Sequence, residues 1–340
     1  MGQDHRRLDS KVIAQHIFTM VKASHRKVWL AKQRVIARIY GDWEESYNEL
    51  PCWLFAMQMY LPVTQSWPVS TDTVMFHRVF WMFPLCVEAF KHCKPLISID
   101  GTHLYGKYGG TLLMAIAQNG NANILPIAFT VVEGETKEAW SFFLSYLWEH
   151  ITPQPGLLVI SDRNKSIDGA LNVEGSLWKP PHAFQAFCTR HIAANFMTHF
   201  KNKDLKKVLI NAVYSKSHRE FTHYYGRLRG ENIAITNWLE EMPRSQWALH
   251  ADEGRRFGHI TTNIFECINA VMKGFRNLPI TALVKSSYFC LGELFARKGS
   301  EALAIEFNSK HVNTMNVYQF DRSRSNFTVE ELAAVSGSTV

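Results

Sequence analysis

The sequence is short of cysteine, and what it has is unpaired in motif. Six cysteines, Cys52, Cys86, Cys93, Cys188, Cys267 and Cys290, are scattered and form no CxxC. That argues against a disulfide framework or a cysteine-rich zinc site, and free thiols suit a reducing compartment. Long apolar runs are missing too. None reaches the roughly 18 residues of a membrane span. The opening MGQDHRRLDS is polar and lacks a signal-peptide apolar stretch. The expectation is an intracellular, soluble protein with no membrane partner. No internal repeat is visible. HLYGKYGG lacks the lysine-serine ending and following helix of a phosphate-cradling loop, so it reads as a hairpin. Acidic charge is the minority sign, 30 Asp and Glu against 37 Lys and Arg, which leaves a net charge of +7. That excess favours a polyanionic partner such as nucleic acid. Of 340 residues, 46% are hydrophobic, enough to build a core for one large domain or two ordinary ones.

Residues 8–40 read as helical. Val12, Ile13, His16, Ile17, Met20 and Val21 recur at helical spacing behind Asp9 or Ser10 as N-cap. Lys22, Arg26, Lys27, Lys32, Arg34 and Arg38 make this stretch basic, as a DNA-phosphate contact or as a solvated helix face. GDWEESYNELPCWLFAMQMY reads as two short helices packed by Trp43, Tyr47, Trp53 and Leu54, and residues 62–72 as a turn-rich linker. A second unit begins near residue 76. LISI, TLLMAIAQ and ILPIAFTVV are close-set strands, divided by Gly106, Gly109 and Gly110 and by NGNAN, and they predict an antiparallel meander. Behind Thr136 as N-cap, Trp140, Phe143, Leu144 and Leu147 predict a helix. LLVIS is then a buried strand. A strand–helix–strand crossover implies a parallel pair, which places LLVIS beside LISI. HAFQAFCTRH is a further strand candidate. Stripes through Leu205, Val208, Leu209, Ala212 and Val213, and through Phe221, Tyr224, Tyr225 and Leu228, predict an all-helical region over about 192–247. Residues 322–340 are polar and are expected to be poorly ordered.

Three carboxylates stand out. Asp100 and Asp162 each end a short apolar run, and the predicted topology sets them at the carboxyl ends of neighbouring parallel strands, where open α/β sheets place their ligand sites. Glu266 lies on a predicted helix whose buried face is Ile264, Ile268, Val271 and Phe275; Glu266, Asn269 and Lys273 fall on another face. Three acids gathered from distant parts of a chain suit a two-metal phosphoryl-transfer site. Each has a plainer alternative. Asp-Gly is a turn signal, and Asn263 followed by Glu266 resembles a capping box. Asp168, the rival to Asp162, is better read as a cap or a solvent-facing residue. Cys188 and His191 form a CxxH, half of a zinc ligand set, and a packing or positioning role near the site fits better. No structural zinc is expected.

ISIDGTHLYGKYGG, AFTVVEGETKEAWSFFLSYL, ISDRNKSI, FCTRHIAANF and a late Asn-x-x-Glu-Cys-x-Asn helix, in that order, resemble a plant Mutator-like (MULE) transposase. The resemblance runs from about residue 15 to about 320. The far-red impaired response proteins are domesticated relatives of the same superfamily. The resemblance implies an α/β fold with an RNase H-like catalytic core, a mixed five-stranded sheet flanked by helices, and an all-helical insertion over about 192–258. It implies a DDE triad of Asp100, Asp162 and Glu266. The longer gap before Glu266 suits the insertion. Cys188 and His191 match the superfamily's CxxH. Two features depart from the pattern. No CxCx…CxH zinc finger closes the chain and no zinc domain opens it, which implies a truncated copy. Phe265 stands beside the glutamate where a small or polar residue is expected.

The resulting expectation has three segments: an N-terminal helical segment at 1–75, a core at 76–300 and a partly disordered tail at 301–340. The expected activity is metal-dependent DNA strand cleavage and strand transfer in the nucleus. Mg²⁺ or Mn²⁺ would be held by Asp100, Asp162 and Glu266, with Lys107, Arg163, Arg190 and Lys273 as candidate phosphate contacts. DNA is the expected partner, bound through phosphates more than base edges, and a homo-oligomer is open. The alternative is an inert or domesticated DNA-associated protein derived from a transposase.

Overall fold

The computed structural model describes residues 25–60, 76–120, 123–152, 154–257, 274–312, 315–321 and 326–331. The stripe at residues 12–21, the linker at 62–72 and the helix expected around Glu266 lie outside these residues. The chain divides into two compact units, residues 1–284 and 285–340.

The first unit is built on a six-stranded mixed sheet. Its strands are β1 (Val79–Met82), β2 (Cys93–His103), β3 (Thr111–Asn119), β4 (Ile124–Val132), β5 (Leu157–Ser161) and β6 (Ala183–Phe187), ordered β1-β4-β3-β2-β5-β6. β2, β3 and β4 form the antiparallel meander that the spacing predicts. β5 lies parallel to β2, and β6 parallel to β5. Their sequences are nearly continuous apolar runs because both faces are covered. Pro126 interrupts the run in β4 without breaking it. It sits at the register shift beside Ala115 and Ile116, where a missing N–H is tolerated.

The sheet has one strand more than the five expected. β1 pairs antiparallel with β4 from Val79↔Val131 to Met82↔Ala128. All four of its residues are buried, and Trp81 stacks on Phe129 with centroids 5.5 Å apart. A four-residue apolar run carries no periodicity of its own; packing against β4 makes it a strand.

Helix α1 (His25–Tyr40) precedes α2 (Glu45–Tyr60), and α3 (Pro84–Phe90) joins β1 to β2. The two short helices expected around Pro51 are a single helix, α2. Proline removes one backbone bond, but Leu50 and Leu54 on either side of it are fully buried and hold both turns against the core. α4 (Lys137–His150) forms the crossover from β4 to β5. It buries Trp140, Phe143, Leu144 and Leu147 as the spacing predicts, and Thr136 Oγ1 accepts from Ala139 N at 3.1 Å. Thr136→Ala is expected to lower stability by about 1 kcal/mol, the usual cost of losing an N-cap, as measured by urea unfolding.

Short helix α5 (Lys165–Leu171) follows β5. Beyond β6, five helices form the all-helical region: α6 (Thr189–Phe200), α7 (Lys203–Tyr214), α8 (His218–Glu231), α9 (Ile233–Glu240) and α10 (Arg244–Trp247). They enclose a separate core in which Phe196, Leu209, Val213, Phe221, Leu239 and Trp247 are buried together. Helix α11 (Ile280–Val312) starts in the first unit, where Thr281 N donates to Ser46 Oγ at 2.9 Å.

In the second unit β7 (Met315–Asp321) and β8 (Asn326–Glu331) pair as an antiparallel hairpin. Part of the stretch expected to be poorly ordered is therefore a strand. Its polar composition hides the pairing because the strand bonds are made by the backbone.

Candidate active site

The register of the parallel strands sets up a row of three side chains. Ser98 on β2 is level with Ile160 on β5, and Ile160 with Ala186 on β6. Two residues further along stand Asp100, within β2, and Asp162 and Cys188, each the first residue past the end of β5 or β6 and following its strand's alternation. Leu96, Leu158, Ile160, Ala186 and Cys188 pack as one cluster on that face. Cys188 N donates to Ser161 O at 2.8 Å and carries the ladder one bond past the end of β6. Neighbouring strands lie about 4.8 Å apart, so two carboxylates that share a level are forced close together.

Local bonds fix each aspartate. Asp100 Oδ1 accepts from Gly101 N at 2.9 Å. Asp162 Oδ1 accepts from Asn164 N at 3.1 Å. Asn164 is the N-cap of α5, its Oδ1 accepting from Ser166 N at 2.8 Å. The rival Asp168 is exposed and accepts from Asn172 Nδ2 at 2.8 Å, as expected of a solvent-facing residue.

Both site carboxyls are harder to ionise than usual. Burial pushes Asp100 up to about 7; the charges of Asp162 and Glu135 add to this, while Gly101 N–H and Arg190 oppose it. Burial pushes Asp162 up to about 6, with Glu135 adding and Asn164 N–H opposing. Half-buried carboxylates crowded against one another favour protonation, or a cation that neutralises them.

The CxxH stands at the end of the row. Burial raises the Cys188 thiol, against the pull of the His191 and Arg190 N–H groups, so it is a neutral thiol. Burial and the Arg190 charge push His191 down to about 4, so its ring is neutral at physiological pH. Arg190 Nη2 lies 3.4 Å from His191 Nε2. A guanidinium can only donate, so Nε2 accepts and the ring proton sits on Nδ1. Nδ1 is buried without a hydrogen-bond partner.

One acidic residue here was not singled out in the sequence. Glu135 lies in the connection between β4 and α4. Its Oε2 accepts from Asn164 Nδ2 at 3.3 Å. A Cβ built on Gly101 would stand 2.8 Å from Glu135 Oε1, so the Glu135 carboxylate lies close against β2 at Gly101. The signal lay in the topology. β4 runs parallel to β2 and β5 across the meander, so the β4–α4 connection leaves the sheet at the edge where the two aspartates stand.

The expected phosphate contacts fare differently. Arg190 is in the site, where its charge acts on Asp100 and His191. Lys107 is bound to Glu44, which precedes α2, and lies 5.4 Å from the Tyr108 ring centroid, so its charge is already matched. Arg163, next to Asp162, pairs with Glu241 at 2.6 Å and lies over Trp238. Lys273 and Glu266 are outside the described residues. Among the described residues, no three His, Cys, Asp or Glu side chains gather closely enough to hold a metal ion.

Residues 96–195 match the family model of the MULE transposase domain. The match supports a Mutator-like transposase. The matched MULE span contains Asp100, Glu135, Asp162, Cys188 and His191 and ends before Glu266. It covers β2 to β6, five of the sheet's six strands, and the first turns of α6, but less than half of the chain. A search of curated proteins finds none that matches.

Proposed function

We propose that this chain carries the catalytic core of a Mutator-like DNA transposase, with an RNase H-like sheet and a DDE set of Asp100, Asp162 and Glu266. The observation that carries the proposal is the placement of Asp100 on β2 and of Asp162 just past β5, each two residues beyond the Ser98↔Ile160 pair of these parallel strands, within the MULE transposase domain match. The sheet order supports the fold reading: the antiparallel meander β2 to β4 is followed by the parallel strands β5 and β6, with Asp100 on β2 and Asp162 just past β5.

Glu266 enters this reading from the sequence, and the described residues on either side of it support its inclusion. On one side, Arg256 Nη1 donates to Phe187 O at 3.3 Å, next to Cys188 in the row. On the other, Tyr105 N donates to Arg276 O at 2.7 Å, just past the end of β2. Arg256 and Arg276, the described residues that flank this stretch in sequence, thus bond to backbone at the end of β6 and just past the end of β2.

The donor set fits a hard divalent cation. Carboxylate oxygens are the ligands that Mg²⁺ and Mn²⁺ prefer, and the crowded negative charge has to be neutralised. Such ions, when bound, would supply Lewis-acid stabilisation of the attacking and leaving oxygens of phosphoryl transfer. The remaining roles belong to the chain. Asp100 would present its oxygens from within β2 and Asp162 from just past the end of β5. Asn164 holds the Asp162 loop. Arg190 tempers the negative charge at Asp100 and would add positive charge beside a DNA phosphate. Neutral Cys188 and His191 pack the floor beside the acids and leave the net charge to the carboxylates. DNA binding, a nuclear location and strand transfer to target DNA belong to the same proposal.

The test is nicking of supercoiled plasmid. Cleavage in Mg²⁺ or Mn²⁺ that stops on chelation is the expected result. Cleavage that persists in excess chelator would refute a metal-dependent site. No cleavage with either ion by correctly folded protein would favour an inert, DNA-associated descendant of a transposase.

A further inference from the structure

We propose that the outer face of α1 holds the duplex DNA beside the cleaved phosphate, with Arg26, Lys27, Arg34 and Arg38 on its backbone phosphates. This inference rests on the transposase reading above. It deepens that reading by naming where the duplex lies.

The charge of α1 is one-sided. HRKVWLAKQRVIARIY holds five of the chain's 37 Lys and Arg and no Asp or Glu. Arg26, Lys27, Arg34 and Arg38 are exposed and make no hydrogen bond or ion pair among the described residues. At about 3.6 residues per turn they fall within roughly 120° of one another, and the stripe from Arg26 to Arg38 runs about 18 Å, roughly five base-pair steps of duplex. Gln33 and Ile36, on another side of the helix, are buried. The exposed basic residues of α8, Arg219, Arg227 and Arg229, are instead mixed with Glu220 and Glu231.

The inner side of α1 is tied to the connection that follows Asp100. Gln33 Nε2 donates to Tyr105 O at 3.4 Å, and Lys32 Nζ donates to Asn277 Oδ1 at 2.8 Å. Tyr105 N in turn donates to Arg276 O. Tyr105 is five residues after Asp100, and that length of chain spans at most about 18 Å. A duplex with one phosphate at Asp100 covers such a distance within its first helical turn, about 34 Å long.

A solvated helix face explains this charge poorly. Arg26 and Lys27 stand at the positive end of the helix dipole, and Arg34 and Arg38 are like charges one turn apart. Both arrangements oppose the helix, and it contains no carboxylate to offset them. Phosphates laid along the stripe would turn both into attraction.

The test is a salt titration of the full chain binding a fluorescein-labelled duplex, read by anisotropy in chelator between about 50 and 200 mM KCl. Wild type is compared with the fourfold variant Arg26→Gln, Lys27→Gln, Arg34→Gln and Arg38→Gln. A charge-matched control carries Lys203→Gln, Arg219→Gln, Arg227→Gln and Arg229→Gln in α7 and α8. The α1 variant is expected to bind about 10–100-fold more weakly, with a log–log salt slope shallower by about 2–4, each lost phosphate contact removing about 0.9. Its unfolding temperature without DNA should be unchanged or higher. The control should change the slope by less than about 1. Arg34→Gln with Arg38→Gln gives the same comparison at about half the slope change should the fourfold variant fail to fold. If the α1 variant keeps the wild-type slope while wild type nicks plasmid, the α1 surface is overturned and the transposase reading stands. If the control loses as much as the α1 variant, net charge and not its placement is what matters, and the inference falls. If wild type binds through α1 but nicks no plasmid, the α1 surface holds and the catalytic reading falls. If wild type binds no duplex, both fall together.

Discussion

Asp162→Asn is expected to reduce metal-dependent plasmid nicking by about 10²–10³-fold with the fold intact. Asparagine has the shape of aspartate, and its Oδ1 can still accept from Asn164 N, the bond that holds the loop after β5. What it loses is one anionic oxygen ligand at the middle position of the row, between Asp100 and Cys188. A metal ion contributes several kcal/mol of transition-state stabilisation, and about 3–4 kcal/mol corresponds to the stated range. The comparison is of initial nicking rates in Mn²⁺, with circular dichroism as the fold control. Equal rates in wild type and variant would remove Asp162 from the catalytic set.

The second large effect is on stability. Asp100→Asn should stabilise the metal-free protein at pH 8 by on the order of 2–4 kcal/mol and change it little near pH 4. In the folded state burial and the neighbouring carboxylates push the Asp100 carboxyl up to about 7, whereas in the unfolded chain it ionises near 3.9. Below about pH 4 the group is protonated in both states and contributes nothing. Between about 4 and 7 the unfolded chain binds fewer protons than the folded one, so stability falls as pH rises. Above 7 both states are ionised and the penalty is constant at its full size. Asparagine has no charge to bury. Urea unfolding in chelator at pH 4.5 and pH 8 measures the difference. A variant less stable than wild type at pH 8 would show that the Asp100 charge is well solvated or paired, contrary to its surroundings here.

Much of the architecture was legible because it follows from short-range pattern. The runs of β2 to β5 are long and bounded by turn residues, and the stripe of α4 sits behind a capping threonine. The neighbourhood of Asp100 and Asp162 followed from the crossover rule alone. Other features depend on contacts between distant segments. The four residues of β1 become a strand only against β4. α2 continues through Pro51 because Leu50 and Leu54 are anchored. β8 is polar and held by backbone pairing. The site divides in the same way. The aspartates announce themselves at the ends of apolar runs, whereas Glu135 reads locally as an acid just before a helix cap. Only the direction of β4 relative to β2 and β5 reveals that it leaves the sheet at the edge where the aspartates stand. Lys107 is the converse: a basic residue in a glycine-rich turn that attracts attention in sequence, yet is matched by Glu44 in the fold.

The central claim is that Asp100 and Asp162 form one divalent-cation site together with Glu266. The most direct measurement is an anomalous difference map from crystals soaked in Mn²⁺. The account predicts a peak within ligand distance of the Asp100 and Asp162 carboxylates, with the Glu266 carboxylate facing it. Well-ordered aspartates with no peak between them, or Glu266 on the far side of the sheet, would contradict it.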